Sequence, residues 1–372
     1  MKERPSLRSS LSAFFHALFY VVIFFVSQYM VMVSYMGRLV SNMLTAELLE
    51  HDAMIKVYEL TLEKSVIILL IANLWTLLLV CGLQTVRKRS VRREFGIKLI
   101  NHRRLIPLLL LGFSLNVVIA QTMSFLPLPD SLVEALNSQY DSLYGNEPII
   151  LELLSIAVVT GITEEIVFRG AVVARLKRGF GRVETVLVSS FIFGLAHGTV
   201  IAFAYSFLLG ILFCVINERF KSIVPSILMH IAFNAASYLL LYLKESWIMP
   251  VYIASIVLLV LSVYLLFLRR PTFADFVSDY SGELVPRDEV EERIVAKVRA
   301  LQSFECDEDG RIGGKTFNEY MDSTDKELEQ LELEWNENEK HRAARKKHRS
   351  ADTAQGQSQS NDNNDTNDTK ET

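Results

Sequence analysis

Three short stretches of an otherwise lipid-soluble chain carry side chains able to do acid–base or metal chemistry. They are EEIVFR at 164–169, FGLAH at 193–197 and HIAFN at 230–234. A charge at the centre of a bilayer costs roughly 2.5–3.5 kcal/mol on insertion scales, so two carboxylates and a guanidinium in the first stretch need a reason. On a helix, residues four apart share a face and neighbours sit about 100° apart. Glu165 and Arg169 can therefore form a buried ion pair that holds the helix in a bundle. Glu164 points elsewhere, and one arginine cannot easily neutralise both carboxylates. Phe193 and His197 are four apart, and so are His230 and Asn234. A lone intramembrane histidine is commonly a helix–helix hydrogen bond. Three separate spans that each bring one group of ligand type are harder to set aside.

Two chemistries suit that set. Glu164, His197 and His230 could hold one divalent metal, Zn2+ being the ion that takes two imidazoles and a carboxylate with a position left open for water. The bound water would then lose a proton near neutral pH and attack a carbonyl. Alternatively, Glu164 is itself the general base, and the histidines polarise the water or the oxyanion. In either version Asn234 would donate its amide to the oxyanion. The residues alone do not choose between the two.

The elements that must position these groups are membrane spans. Mean hydropathy is +0.27 and net charge −4, but both average two unlike parts. Nearly all long apolar runs fall in residues 1–270, a membrane domain, whereas 271–372 hold none. A span needs about 20 apolar residues, and eight candidates follow: 12–36, 64–86, 105–125, 149–174, 183–198, 200–217, 222–243 and 246–268. The first is too long for a signal-peptide core and is expected to be retained. The expected fold class is thus all-α, a polytopic transmembrane bundle of about eight spans. Orientation follows from Lys and Arg in short loops. Loop 87–104 carries eight basic residues and one acid, and loop 126–148 has four acids and no Lys or Arg. Basic residues return at Arg175–Arg182, at Arg219 and Lys221, and at Arg269 and Arg270. This alternation places both termini in the cytoplasm. Counting from the basic ends at 1.5 Å per residue puts His197 roughly 6–9 Å deeper than Glu164 and His230. A tilted fifth helix, or one that starts inside the membrane, would remove the mismatch.

The remainder is a helical cytoplasmic tail, 271–349, and a polar C-terminus, 350–372, with the composition of a disordered segment. Residues 286–302 carry an apolar stripe of Val290, Ile294, Val295 and Val298, which predicts an amphipathic helix, and a second helix is expected over 324–346. The stretch ECDEDGRIG at 305–313 looks like half of an EF-hand loop, but Thr316 stands where the bidentate Glu belongs, so a solvated turn is expected. The basic run at 340–349 is expected to be a solvated helix face, and no nucleic acid partner is expected. Cys81, Cys214 and Cys306 form no zinc or disulfide pattern.

Taken together, EEIVFR, FGLAH and HIAFN resemble the CAAX-protease and bacteriocin-processing family of intramembrane proteases, which carries EExxxR, FxxxH and HxxxN/D in this order on separate helices. The resemblance covers roughly 149–243. It implies a helical membrane bundle with a polar cavity reached from the cytoplasm or the bilayer. It further implies that Glu164 activates water, that His197 and His230 bind metal or act in catalysis, that Asn234 assists, and that Glu165, Arg169 and Phe193 support them. The implied activity is an intramembrane endopeptidase, whose partners would be the lipid bilayer and a membrane-associated protein or peptide substrate. No HExxH occurs, the YSG at 280–282 lies in the tail, and no span carries Gly-x-Gly-Asp, so other intramembrane proteases fit worse. The competing class is a non-enzymatic carrier, scaffold or immunity protein with buried Glu and His. A carrier would show inverted repeats or spans broken by Gly and Pro, and no clear repeat is visible. A bacterial cell membrane is the expected location.

Overall fold

The computed structural model describes residues 6–45, 53–98, 100, 102–145, 147–268, 289–302, 323, 326–342 and 344. Every regular element among them is helical. Two compact units divide the chain, Met1–Arg269 and Arg270–Thr372.

In the first unit, α1 spans Leu7–Thr45, α2 Ala53–Glu63, α3 Ser65–Val86 and the single turn α4 Val91–Glu94. α5 (Leu105–Ser124) and α6 (Asp130–Leu143) follow. A composite helix over 149–176 is built from α7 (Ile149–Glu152), a π segment (Leu153–Val159), α8 (Thr160–Glu164), a second π segment (Glu165–Val172) and α9 (Val173–Leu176). α10 (Arg182–Leu195), α11 (Val200–Phe220), α12 (Val224–Leu241) and α13 (Glu245–Val263) complete it. Each expected span is therefore helical. Five stretches are long and apolar enough to cross a membrane: Leu7–Met43, Ser65–Val86, Leu105–Ser124, Val200–Phe220 and Glu245–Leu268. The protein is a multi-pass membrane protein. α1 outruns the expected 12–36 at both ends, because the flanking residues 7–11 and 38–45 are helix-compatible and the lone Gly37 does not stop it. α10 has only 14 residues, about 21 Å and short of the ~30 Å hydrocarbon core.

Small residues let the helices cross closely, as membrane packing requires. A Cβ on Gly112 of α5 would lie 2.2 Å from the Met229 carbonyl oxygen of α12, so only glycine permits that approach. Polar side chains then tie the crossings. Asn116 donates to Ser237 at 2.7 Å, and Gln28, Asn73 and Thr160 link α1, α3 and α8 at 3.1 and 2.9 Å. At the basic end, the Tyr20 hydroxyl accepts from Gln84 (2.7 Å) and from Arg175 (3.2 Å), and Arg175 pairs with Glu94 at 2.8 Å. Burial pushes the Glu94 carboxyl up, but Arg175, Arg89 and Arg178 outweigh it and hold the group below the usual carboxylate range.

In the second unit, α14 (Glu289–Gln302) lies against helix 326–342. Ile294 and Val295 are buried with Leu331 and Trp335, and Val290 and Leu328 pack at the edge. Arg293 pairs with Glu334 at 2.7 Å, Lys297 with Glu327, and Arg342 with the buried Glu291 at 2.9 Å. The start of one helix thus meets the end of the other, an antiparallel pair. The Val298 side chain, the acidic stretch 305–313, most of the basic run 340–349 and the C-terminus 350–372 lie outside the described residues.

Candidate active site

The sequence LAHGTV stops one helix and starts the next. Gly198 adopts a φ of +79°, which ends α10. Thr199 then caps α11 by accepting from the Ala202 N–H at 3.2 Å. His197 therefore stands in the turn rather than inside a span. Although the count from the basic ends puts His197 deeper, its Nε2 and that of His230 approach the same Glu164 oxygen. The His197 Nδ1 lies 2.8 Å from the Phe193 carbonyl oxygen. A carbonyl only accepts, so Nδ1 carries the proton and the neutral ring presents Nε2 as an acceptor.

The second histidine is fixed in the same way. His230 is buried on α12, and its Nδ1 lies 3.0 Å from Glu165 Oε1. With the carboxylate accepting, the neutral form of His230 presents Nε2 as an acceptor too. Glu165 is fully buried and takes the Arg169 Nη1 donor at 2.7 Å as well. Arg169 lies with its guanidinium carbon 3.9 Å from the Phe193 ring centre and 5.0 Å from that of Phe213. Aromatic faces attract a desolvated guanidinium, and Arg169 needs them because its Nη2 has no hydrogen-bond partner. Phe193 also meets the rings of His197 (4.7 Å) and His230 (6.0 Å) edge to face. It is the side chain on which the pair and both imidazoles rest.

Glu164 turns the other way. Its Oε2 lies 3.7 Å from His230 Nε2 and 4.0 Å from His197 Nε2. That oxygen is buried and has no hydrogen-bond partner. The side chains of Glu164 and His197 keep 14% and 21% of their surface, against 0% for Glu165. Three acceptor atoms converge with no donor among them. A water beside Glu164 Oε2 has two protons to donate, one to that carboxylate oxygen and one to a histidine Nε2. The donor types and tautomers suit zinc too, since imidazoles that bind metal donate their other nitrogen in this way. The separations, however, exceed the edges of about 3.3 Å in a tetrahedral site with bonds of 2.0–2.1 Å. Among the described residues no group of three His, Cys, Asp or Glu could hold a metal ion as it stands.

Asn234 lies one turn beyond His230, and its amide nitrogen donates to the Ile156 carbonyl oxygen at 3.0 Å. That carbonyl belongs to the first π segment, where the i→i+4 ladder is interrupted. One amide hydrogen is thus committed to holding α12 against the composite helix, and the other is free. The motifs gave no signal for three further participants. Phe213 reads as one more lipid-facing aromatic residue, and Gln139, on α6, donates to the His197 carbonyl oxygen at 3.3 Å across 58 positions of sequence. The Ile156 carbonyl is backbone, which no residue pattern marks.

A bundle of apolar helices with a carboxylate–imidazole centre buried among them defines the class. Residues 146–236 match the family model described as Type II CAAX prenyl endopeptidase Rce1-like. All three motifs fall within the matched residues, and over this segment the resemblance to the CAAX-protease family is shown. That match supports a CAAX-type intramembrane protease activity. No curated protein and no solved structure matches the chain.

Proposed function

We propose that the protein is an intramembrane endopeptidase that cleaves a membrane-associated protein or peptide, with both termini on the cytoplasmic side. The observation that carries this reading is the Glu164 Oε2 atom, buried, without a hydrogen-bond partner, and facing two imidazole acceptors at 3.7 and 4.0 Å. Glu165, whose Oε1 takes both Arg169 and His230, has no exposed side-chain surface, whereas Glu164 keeps 14% of its own. The alternation of basic loops supports the orientation.

Glu164 and one of the two Nε2 atoms accept the protons of one water, and the other imidazole lies beside it. Glu164 takes a proton from it as the oxygen attacks the scissile carbonyl carbon. The free Asn234 amide hydrogen donates to the oxyanion that forms. When the C–N bond breaks, protonated Glu164 returns the proton to the leaving nitrogen, and the carboxylate is regenerated. Glu165 keeps His230 in the tautomer that presents Nε2, and Arg169 holds Glu165 in place as its ion-pair partner. A zinc ion would be held by Glu164, His197 and His230 once they drew closer, and it would supply a bound water of lowered pKa.

The test is cleavage of a membrane-anchored peptide by the purified chain in liposomes, alongside His197→Ala and His230→Ala and with metal content measured for each. The wild type is expected to cleave and both variants to lose cleavage while still melting cooperatively. Full cleavage by both histidine variants would remove the reading.

A further inference from the structure

α1 and α3 run antiparallel and touch where Gln84 meets Tyr20 and Gln28 meets Asn73. An open groove of about 600 Å³ is lined by residues of both helices. Its walls are apolar, with Met30 and Val31 on one side and Leu74, Trp75 and Leu78 on the other, and Arg38 stands at one end. Met30, Leu74, Trp75 and Leu78 are exposed. None of them belongs to the glutamate–histidine centre.

Arg38 is out of place by composition. It lies within the apolar stretch Leu7–Met43 and has no ion-pair partner among the described residues. Its depth explains how it is tolerated. Ser10 of α1 bonds to the Gly179 carbonyl, which fixes the start of α1 at the level of the basic loops. Arg38 lies 28 positions further on, about 42 Å along the helix, whereas the hydrocarbon core is about 30 Å thick. The guanidinium therefore reaches the headgroup layer of the leaflet opposite the basic loops. From there the groove runs inward along α1 from Arg38 to Met30, about 12 Å.

We propose that this groove binds one anionic glycerophospholipid of that leaflet. The phosphate diester sits on the Arg38 guanidinium, which matches phosphate oxygens with paired N–H donors. The upper part of one acyl chain lies against Trp75, Leu74 and Leu78. An anionic headgroup is selected because it cancels the arginine's charge, whereas a choline would add a second cation beside it.

The experiment uses the full chain, stripped of lipid in dodecyl maltoside and titrated with phosphatidylglycerol or phosphatidylcholine. Bound lipid is counted by native mass spectrometry, and melting is followed in parallel. The wild type should hold one phosphatidylglycerol about fivefold more tightly than phosphatidylcholine, the effect of one arginine at a lipid surface. Arg38→Gln should erase that preference. Leu74→Trp fills the groove at an exposed position and should weaken both lipids while melting like the wild type in lipid-free detergent. Equal binding of the two lipids by the wild type, a preference that survives Arg38→Gln, or undiminished binding by Leu74→Trp would each overturn the proposal. An acyl chain held without regard to headgroup would appear as the first of these.

Discussion

Two carboxylates one residue apart occupy opposite kinds of surroundings. Around Glu165 the chain is closed, with no exposed side-chain surface, one oxygen that takes an arginine at 2.7 Å and an imidazole N–H at 3.0 Å, and two phenyl rings holding the arginine. Around Glu164 it is partly open, with 14% of the side chain exposed and one oxygen facing two imidazoles at 3.7 and 4.0 Å. The contrast separates two tasks that the sequence writes with the same letter. One glutamate completes the structure, and the other leaves a place that something else must fill. The second π segment begins at Glu165, and such irregular turns re-aim side chains on a helix at functional positions.

The comparison can be broken at either side, and the largest effect is expected at the closed one. Glu165→Gln leaves Arg169 charged and buried without a counter-ion, a loss of roughly 3–5 kcal/mol. Thermal melting in detergent should show it, together with a fall in cleavage as His230 loses its fixed tautomer. Phe193→Leu keeps the volume roughly but removes the aromatic face under Arg169, a loss of about 1–2 kcal/mol for a desolvated pair. It should lower both melting temperature and cleavage, because the same ring supports the imidazoles. Gln139→Ala removes the donor to the His197 carbonyl, a change of about 1 kcal/mol or less. It should slow cleavage modestly and leave melting nearly unchanged.

The smallest effect sharpens the comparison from outside the membrane. Glu94 is a satisfied carboxylate like Glu165, but in a basic loop where solvent screens it. Its pKa is depressed in the folded chain. Its contribution is therefore complete above the unfolded value of about 4.3 and is lost as pH falls through the lower folded value. Melting of the wild type should decline in that acid range, and Glu94→Gln should flatten the decline. An unaltered acid limb in the variant would show that other carboxylates set it.

Local spacing made part of this legible in the sequence. Glu165 and Arg169 pair because four residues make about one helical turn, and that rule needs no tertiary knowledge. The apolar runs gave the helices, and the stripe on 286–302 gave an amphipathic helix. What stayed hidden depended on distance along the chain or on backbone geometry. His197 looks like a helix residue until Gly198 is seen to take a positive φ. Asn234 looks like a free donor, yet half of its amide is bound to a carbonyl released by a π turn 78 positions away. In the tail, the partner that buries Ile294 and Val295 was not readable from their own helix, because the Glu291–Arg342 and Arg293–Glu334 pairings join residues 51 and 41 apart.

The measurement that tests the account most directly sets Glu164→Gln beside Glu165→Gln, with melting and membrane-peptide cleavage read on the same preparations. An amide in place of Glu164 is isosteric, needs no counter-ion and cannot take a proton from water. That variant should melt at or slightly above the wild-type temperature and lose about 10²–10⁴-fold in cleavage rate, the usual worth of a general base. Glu165→Gln should instead melt well below the wild type. A Glu164→Gln protein that cleaves at the wild-type rate, or one that unfolds as readily as Glu165→Gln, would contradict the division of labour between the two glutamates.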